Sequence, residues 1–245
     1  MHPIYALWCH PRSMSTAIER VMRERGDLRI VHEPFIYTYY LGDRGRSLPH
    51  FEPNADHPQT YVDVRQFIRD QATIGPVFFK DMTYYALENL LADPEFLSDI
   101  THTFLVRDPA AAILSYARLD PLFRRDEAGL EASWTLYCKV RDDGHGPLVL
   151  SADHVQRRPA EIMSEYWSAL GLPDTPHALS WSGKMPGSWE HVAGWHEAVL
   201  ASRQILPPEH DRDFRSELES LGGDFLDYYH HHRPFYDRLI AEALT

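Results

Sequence analysis

Short apolar runs recur along this chain, and each is followed by a longer stretch with helical spacing. Ile4 to Cys9 (IYALWC) is apolar at almost every position and reads as a strand buried on both faces. Ser15 to Arg25 follows with Ile18, Val21 and Met22 on one side, which predicts a helix. The pattern then repeats. Leu28 to Val31 reads as a strand, Thr60 to Gln71 as a helix, and Val77 to Phe79 as a strand after Gly75-Pro76. His102 to Val106 reads as a strand and Pro109 to Arg118 as a helix. Glu127 to Arg141 reads as a long helix, Leu148 to Leu150 as a strand, and Pro159 to Leu170 as a helix stopped by Gly171. Such alternation predicts an α/β fold: a mainly parallel sheet between two layers of helices, a three-layer α/β/α arrangement. One domain over 1–245 is expected, because a chain of this length buries a sufficient core. Residues 34–60 are rich in turn formers and aromatics and read as a long excursion. The part from 190 to 245 reads as helical, after a loop near Trp181 to Trp189.

In a sheet of this kind ligands collect where strands end and helices begin. At the first such junction the chain reads Pro11-Arg12-Ser13-Met14-Ser15-Thr16. A helix N-terminus here offers unpaired N–H groups and partial positive charge, the hydroxyls add donors, and Arg12 adds a planar cation. These parts make an anion cradle; helix capping by Ser13 or Ser15 beside a surface arginine is the plainer alternative. The segment has no glycine or lysine, so it is not an ATP-type GxxxxGK[ST] loop. Cys9 and Arg12 stand too close for a cysteine-phosphatase loop. A second junction carries Arg107-Asp108-Pro109, with Pro109 suited to the first helical position and Ser115 two turns further on.

Charge and cysteine content narrow the partners. The formal net charge of −12 argues against a broad electrostatic grip on nucleic acid or anionic lipid, while leaving room for a local basic pocket. Two cysteines are too few for a disulfide framework, and a cytoplasmic location is the expectation. No apolar run is long enough for a membrane span or a signal peptide. The His230-His231-His232 triplet points its side chains in different directions, and no HExxH or Cys-His zinc spacing occurs, so no required metal is expected.

The two junctions, in this order and with Arg107 lying 95 positions after Arg12, resemble the donor site of the sulfotransferases that use 3′-phosphoadenosine 5′-phosphosulfate (PAPS). In that family a PRSGT-like loop holds the 5′-phosphosulfate, and an R…S pair holds the 3′-phosphate. The matching residues are Arg12, Ser13, Met14, Ser15 and Thr16 for the loop, and Arg107 with Ser115 at the family's spacing of eight. Val77-Phe78-Phe79-Lys80 is similar to the strand whose terminal lysine approaches the sulfuryl group. Leu148 to Pro173 looks like the family's strand, acidic turn and helix ending in GLP. Lys184-Met185-Pro186-Gly187-Ser188-Trp189 resembles the late loop that closes over the nucleotide, which assigns Lys184, Gly187, Ser188 and Trp189 to donor binding. The resemblance spans roughly residues 4–190. It departs at Met14, where the family has glycine, at Ser182-Gly183, where it has an arginine-lysine pair, and at Ala152, where many members place an aromatic.

The resemblance implies a P-loop-like fold and an in-line sulfuryl transfer from PAPS to a hydroxyl or amine of a small molecule. Arg12 would hold the leaving phosphate and Lys80 the bridging oxygen. A branch of the family uses a glutamate base after the second strand, often followed by Pro-Phe, and Glu33-Pro34-Phe35 stands in that place. Glu33 is therefore the first choice as base, with Asp81 and His32 as alternates. Phe35, Tyr39, Tyr84 and Tyr85 follow the proposed base and lysine and would line an acceptor pocket, with residues 34–60 forming a lid or acceptor-site excursion. The rival readings are a non-catalytic nucleotide-binding module and a P-loop-like small-molecule phosphotransferase. A homodimer is compatible with the sequence.

Overall fold

The structure is a computed structural model, and it describes residues 1–42, 46–208 and 212–245. Five strands form one sheet: β1 (Ile4–Cys9), β2 (Arg29–His32), β3 (Val77–Met82), β4 (Ile100–Val106) and β5 (Leu148–Ser151). Their order is β2-β3-β1-β4-β5, and every pairing is parallel. All six residues of β1 are buried. Side chains alternate between faces along a strand, so both faces of β1 are covered, which makes the arrangement three-layered.

The helices are α1 (Ser15–Glu24), α2 (Ile36–Tyr40), α3 (Tyr61–Ile74), α4 (Leu87–Leu91), α5 (Pro94–Ser98) and α6 (Pro109–Ala117). They continue as α7 (Leu130–Asp142), α8 (Ala152–Arg157), α9 (Pro159–Ala169), α10 (Glu197–Ala201), α11 (Phe214–Leu221) and α12 (Gly223–Ile240). No helix among the described residues is long and apolar enough to cross a membrane.

Three differences from the sequence reading have local causes. Strand β3 runs on through Lys80, Asp81 and Met82 instead of ending at Phe79, because both charged side chains find partners inside: Lys80 pairs with Glu33, and Asp81 accepts the N–H groups of Phe35 (2.7 Å) and Met82 (2.9 Å). The long helix expected from Glu127 is broken. A 3-10 turn over Arg125–Ala128 ends at Gly129, whose φ is +78°, and α7 starts after it. A Cβ at Gly129 would lie 2.9 Å from the Cβ of His10, so glycine serves both the left-handed backbone and the close approach. The third difference is in the excursion 34–60, which contains α2 and then packs on the C-terminal segment. Trp195 Nε1 donates to Pro49 O at 2.7 Å and Glu52 N–H to His191 O at 2.8 Å. Residues 43–45 of the excursion, and 209–211 of the helical C-terminal part, lie outside the described residues.

The sheet grows away from β1 in both directions. The C-terminal end of β1 is therefore the switch point, where the loops after β1, β2, β3 and β4 converge.

Candidate functional site

The loop between β1 and α1 is built from strained backbone. Arg12 (φ 61°), Met14 (φ 72°) and Glu33 (φ 39°) are three of the four non-glycine residues with positive φ among the described residues. Each such conformation costs on the order of 1–3 kcal/mol and persists only where the surroundings hold it, most often at functional sites. Met14, which the sequence comparison marks as a missing glycine, adopts the left-handed conformation all the same and is the N-cap residue of α1. It provides no side-chain cap, and neither Ser13 nor Ser15 supplies one. Ser13 is fully buried, and its hydroxyl has no hydrogen-bond partner.

One cleft of about 220 Å³ gathers Arg12, Thr16, Glu33, Lys80, Arg107 and His196. Arg12 donates from Nε to Ser115 Oγ (2.9 Å) and from Nη1 to Trp195 O (3.0 Å), and it has no carboxylate partner among the described residues. Arg107 donates from Nη1 to the carbonyl of Arg12 at 3.0 Å. Burial, together with the charge of Arg107, lowers the Arg12 pKa. Two guanidinium groups from positions far apart in the chain thus face one cavity, at the N-terminus of α1. That set of donors fits an anion with phosphate or sulfate groups.

Lys80 and Glu33 form a buried ion pair. The register of the sheet sets it: His32 lies opposite Lys80 on the neighbouring strand, and Glu33 N–H donates to Lys80 O at 3.0 Å. Burial would raise the Glu33 carboxyl, but the charges of Lys80 and His32 outweigh it and hold the pKa below the ordinary value. Burial would likewise lower Lys80, and Glu33 outweighs it, so the ammonium is kept. Of the alternate bases, Asp81 does not line the cleft, and burial pushes its pKa well up. His32 is turned away, with Nδ1 donating to Glu19 Oε2 at 2.5 Å.

His32, Glu33 and His196 each offer one ligand atom within 4.8 Å of the others, a spacing that a metal ion could bridge. The lone pairs it would use are engaged. Glu33 holds Lys80, and the two imidazole nitrogens sit at hydrogen-bond distance from each other, 3.1 Å. The histidine triplet lies on α12 and diverges as expected: His231 pairs with Glu131, and His232 Nε2 contacts Arg125 O.

Several residues proposed for the site lie elsewhere. The late loop flanks α1 instead of facing the cleft, because arginines on that helix hold it there. Arg20 donates to the carbonyls of Lys184 (2.7 Å) and Ser182 (3.1 Å), leaving the Lys184 side chain exposed. Arg23 donates to Ser188 Oγ (2.9 Å), and buried Trp189 donates from Nε1 to Glu19 (2.7 Å). Gly187 is exposed between them. The chain immediately after this loop closes the cleft, through Val192, Trp195, His196 and Val199. Phe35 is fully buried and stacks on Tyr61, so it belongs to the core and not to an acceptor pocket. Tyr39 and Tyr84 line a second cavity, of about 390 Å³, and Tyr85 lines both cavities and forms a wall between them. Ala152 is buried and lines neither cavity.

Sequence reasoning did not find Trp195, His196, Gln156, Ser202 and Gln204, which also line the cleft. None sits in a recognisable spacing. The pair Trp195-His196, just past the late loop, was the available signal.

Two curated Arabidopsis thaliana proteins, branched-chain-amino-acid aminotransferase-like proteins 2 and 1, are 25% identical to this chain over 213 residues and 24% over 205 residues. These alignments cover 85% and 82% of this chain, and the chain spans only 37% and 36% of the relatives' length. The fold matches the sulfotransferase domain of the Synechococcus PCC 7002 olefin synthase, with a TM-score of 0.61 and 18% identity over 100% of this chain and 96% of that one. It also matches a sulfotransferase from Alicyclobacillus acidocaldarius, with a TM-score of 0.57 and 12% identity over 100% and 98% of the two chains. The family profile described as a sulfotransferase domain matches residues 4–237, nearly the whole length, and this chain belongs to the sulfotransferase domain family.

Proposed function

We propose that this chain, as one domain, transfers the sulfuryl group of PAPS to a hydroxyl or amine of a small-molecule acceptor. The carrying observation is the single cleft in which Arg12, Arg107 and Lys80 meet the N-terminus of α1, with Glu33 beside Lys80. Arg12, the buried Ser13, and Ser15 and Thr16 at the helix start are the groups for the 5′-phosphosulfate. Arg107 is the group for the 3′-phosphate, with Ser115 positioning Arg12. Gln156, Ser202 and Gln204 offer amides and a hydroxyl to the nucleoside along the same cleft.

In the transfer, the acceptor oxygen attacks sulfur as the bond from sulfur to the phosphate oxygen breaks. Adenosine 3′,5′-bisphosphate (PAP) leaves, and the acceptor's proton goes to a carboxylate of this chain, Glu33. Without donor, Glu33 is occupied by Lys80. The sulfuryl oxygens and the bridging oxygen of PAPS compete for that ammonium. Donor binding draws Lys80 toward the charge that develops on the leaving group and frees Glu33 to take the proton. Acceptors approach past Met82 and Tyr85, two and five residues beyond Lys80, along an apolar wall completed by Ile36 and Leu48. The aminotransferase-like name belongs to relatives of which this chain matches little more than a third. Lys80, held charged by Glu33, is the opposite of the neutral amine that an imine-forming lysine requires.

Thermal shift tests the donor. PAP is expected to raise the melting temperature, and ATP with magnesium to leave it nearly unchanged; the reverse ranking overturns the reading. Turnover of labelled PAPS over an acceptor panel then separates an enzyme from a protein that only binds nucleotide.

A further inference from the structure

The junctions that carry Arg12 and Arg107 are tied to each other by hydrogen bonds, and the one nearest the sheet uses a side chain that the transfer leaves idle. The ladder between β1 and β4 runs to Cys9 beside Leu105. Past its end, His10 Nε2 accepts the backbone N–H of Arg107 at 3.1 Å. Further out, the Arg12 carbonyl accepts from Arg107 Nη1 (3.0 Å), and Arg12 Nε donates to Ser115 Oγ (2.9 Å). Arg107 is thus held at its backbone by His10 and at its guanidinium by Arg12, both in the loop between β1 and α1.

The surroundings of His10 single out that backbone contact. The residue is 0% exposed and shares a small apolar hollow with Pro11, Pro109, Ala112, Ala128 and Leu130. Gly129 closes on it from the start of α7, near enough that a Cβ there would lie 2.9 Å from the Cβ of His10. Burial, above all, lowers the imidazole to about 3, so it is neutral near pH 7 and carries one ring hydrogen. Because Nε2 accepts, that hydrogen is on Nδ1, and Nδ1 has no hydrogen-bond partner among the described residues. A buried donor left unpaired is destabilising, and a leucine or methionine would fill the same hollow without one. What the imidazole alone adds is an acceptor aimed at the N–H of Arg107.

That anchor matters because of what the cleft has to measure. Arg12 and the N-terminus of α1 face the 5′ end of the proposed donor, and Arg107 is the cation for its 3′ end. A guanidinium on a long stem has to be held within about 0.5 Å of its productive place by the groups around it. Resting on the donor site proposed above, we propose that His10 is a positioning residue for Arg107. By fixing the Arg107 backbone to the base of the donor loop, it sets the separation of the two anion sites. It thereby sets the preference for a nucleotide phosphorylated at both ends over one phosphorylated at the 5′ end alone.

Calorimetry with PAP and with adenosine 5′-phosphate (AMP) tests this on wild type, His10→Leu and His10→Gln, with melting temperatures to show that each is folded. The wild type is expected to bind PAP more tightly than AMP. In His10→Leu the hollow stays filled and the acceptor is gone. The ratio of PAP to AMP affinity should fall roughly 3- to 10-fold, the size of one lost neutral hydrogen bond, with AMP affinity nearly unchanged. His10→Gln places a carbonyl oxygen near the position of Nε2 and should restore the ratio. Added to Arg107→Ala, His10→Leu should lower the ratio no further, since no guanidinium is left to position. An unchanged ratio in His10→Leu, a parallel loss of both nucleotides, or a further fall on top of Arg107→Ala overturns the proposal. A wild type that binds AMP as tightly as PAP overturns the assignment of Arg107 to the 3′-phosphate, and the positioning role with it. If His10→Leu does not fold, the wild type with ¹⁵N-labelled histidine decides. Its His10 Nε2 resonance should move on adding PAP and stay in place on adding AMP, and equal movement with both overturns the proposal.

Discussion

Glu33→Gln removes one half of an ion pair whose other half, the Lys80 side chain, is 0% exposed while Glu33 itself is 7% exposed. At that depth little solvent screening remains, and an ammonium left without its partner costs about 3–5 kcal/mol. For a chain of this size that corresponds to a fall in melting temperature of roughly 6–20 °C. Lys80→Met should cost a similar amount. The double variant Glu33→Gln/Lys80→Met should recover most of the loss, because no unpaired charge is left behind. The wild-type contribution holds across neutral pH. Glu33, lowered from 4.5, gives it up only as pH falls through its depressed value, and Lys80, raised from 10.5, only as pH rises through its elevated value. The assays are thermal or urea unfolding of all four proteins and PAPS turnover at a temperature where each is folded. Loss of the base should lower kcat by about 10²–10⁴. A Glu33→Gln protein that melts within about 2 °C of the wild type would refute the buried-pair reasoning. One that is folded and turns over at the wild-type rate would refute Glu33 as base.

Arg107→Ala should weaken PAP binding by roughly 10- to 100-fold, the size of a lost charged hydrogen bond, measured by calorimetry; unchanged affinity would detach Arg107 from the 3′-phosphate. Acid should destabilise the protein well above the range of its carboxylates. Burial lowers His10 to about 3 and His102 to about 4 from an ordinary 6.5, so the unfolded chain binds protons there that the folded chain refuses. Stability therefore falls as pH drops below 6.5 and continues to fall to about 4 through His102 and to about 3 through His10. At His102 the cause is visible: Trp8 Nε1 donates to Nδ1 (2.9 Å), and Nε2 donates to Leu97 O (2.9 Å), so a second proton breaks the Trp8 bond. A urea midpoint that stays flat from pH 7 to pH 4 would contradict this.

Strand and helix periods survive in a single sequence because they are local. The runs IYALWC and VFFK predict buried strands, and the apolar spacing after Ser15 predicts α1, without knowledge of any partner. The loop residues Arg12 to Thr16 and the Arg107 junction were legible for the same reason, each being a short strand-to-helix motif. Where β3 ends was not legible. Lys80 and Asp81 look like the end of a strand until Glu33 and the N–H of Phe35 arrive from elsewhere in the chain to satisfy them. The late loop was legible as a motif and not in its placement, because Arg20 and Arg23 decide on which side of α1 it rests.

The chain by itself determined a buried parallel sheet, the cation-bearing junctions at its edge and a carboxylate after the second strand, since these depend on neighbours within a few residues. Only the tertiary structure decided that Arg12 and Arg107 face one cleft, that Glu33 is held by Lys80, and that His196 meets His32 beneath Thr16. Those contacts join groups up to 180 positions apart. Their geometry follows from strand order and register, which no local pattern encodes.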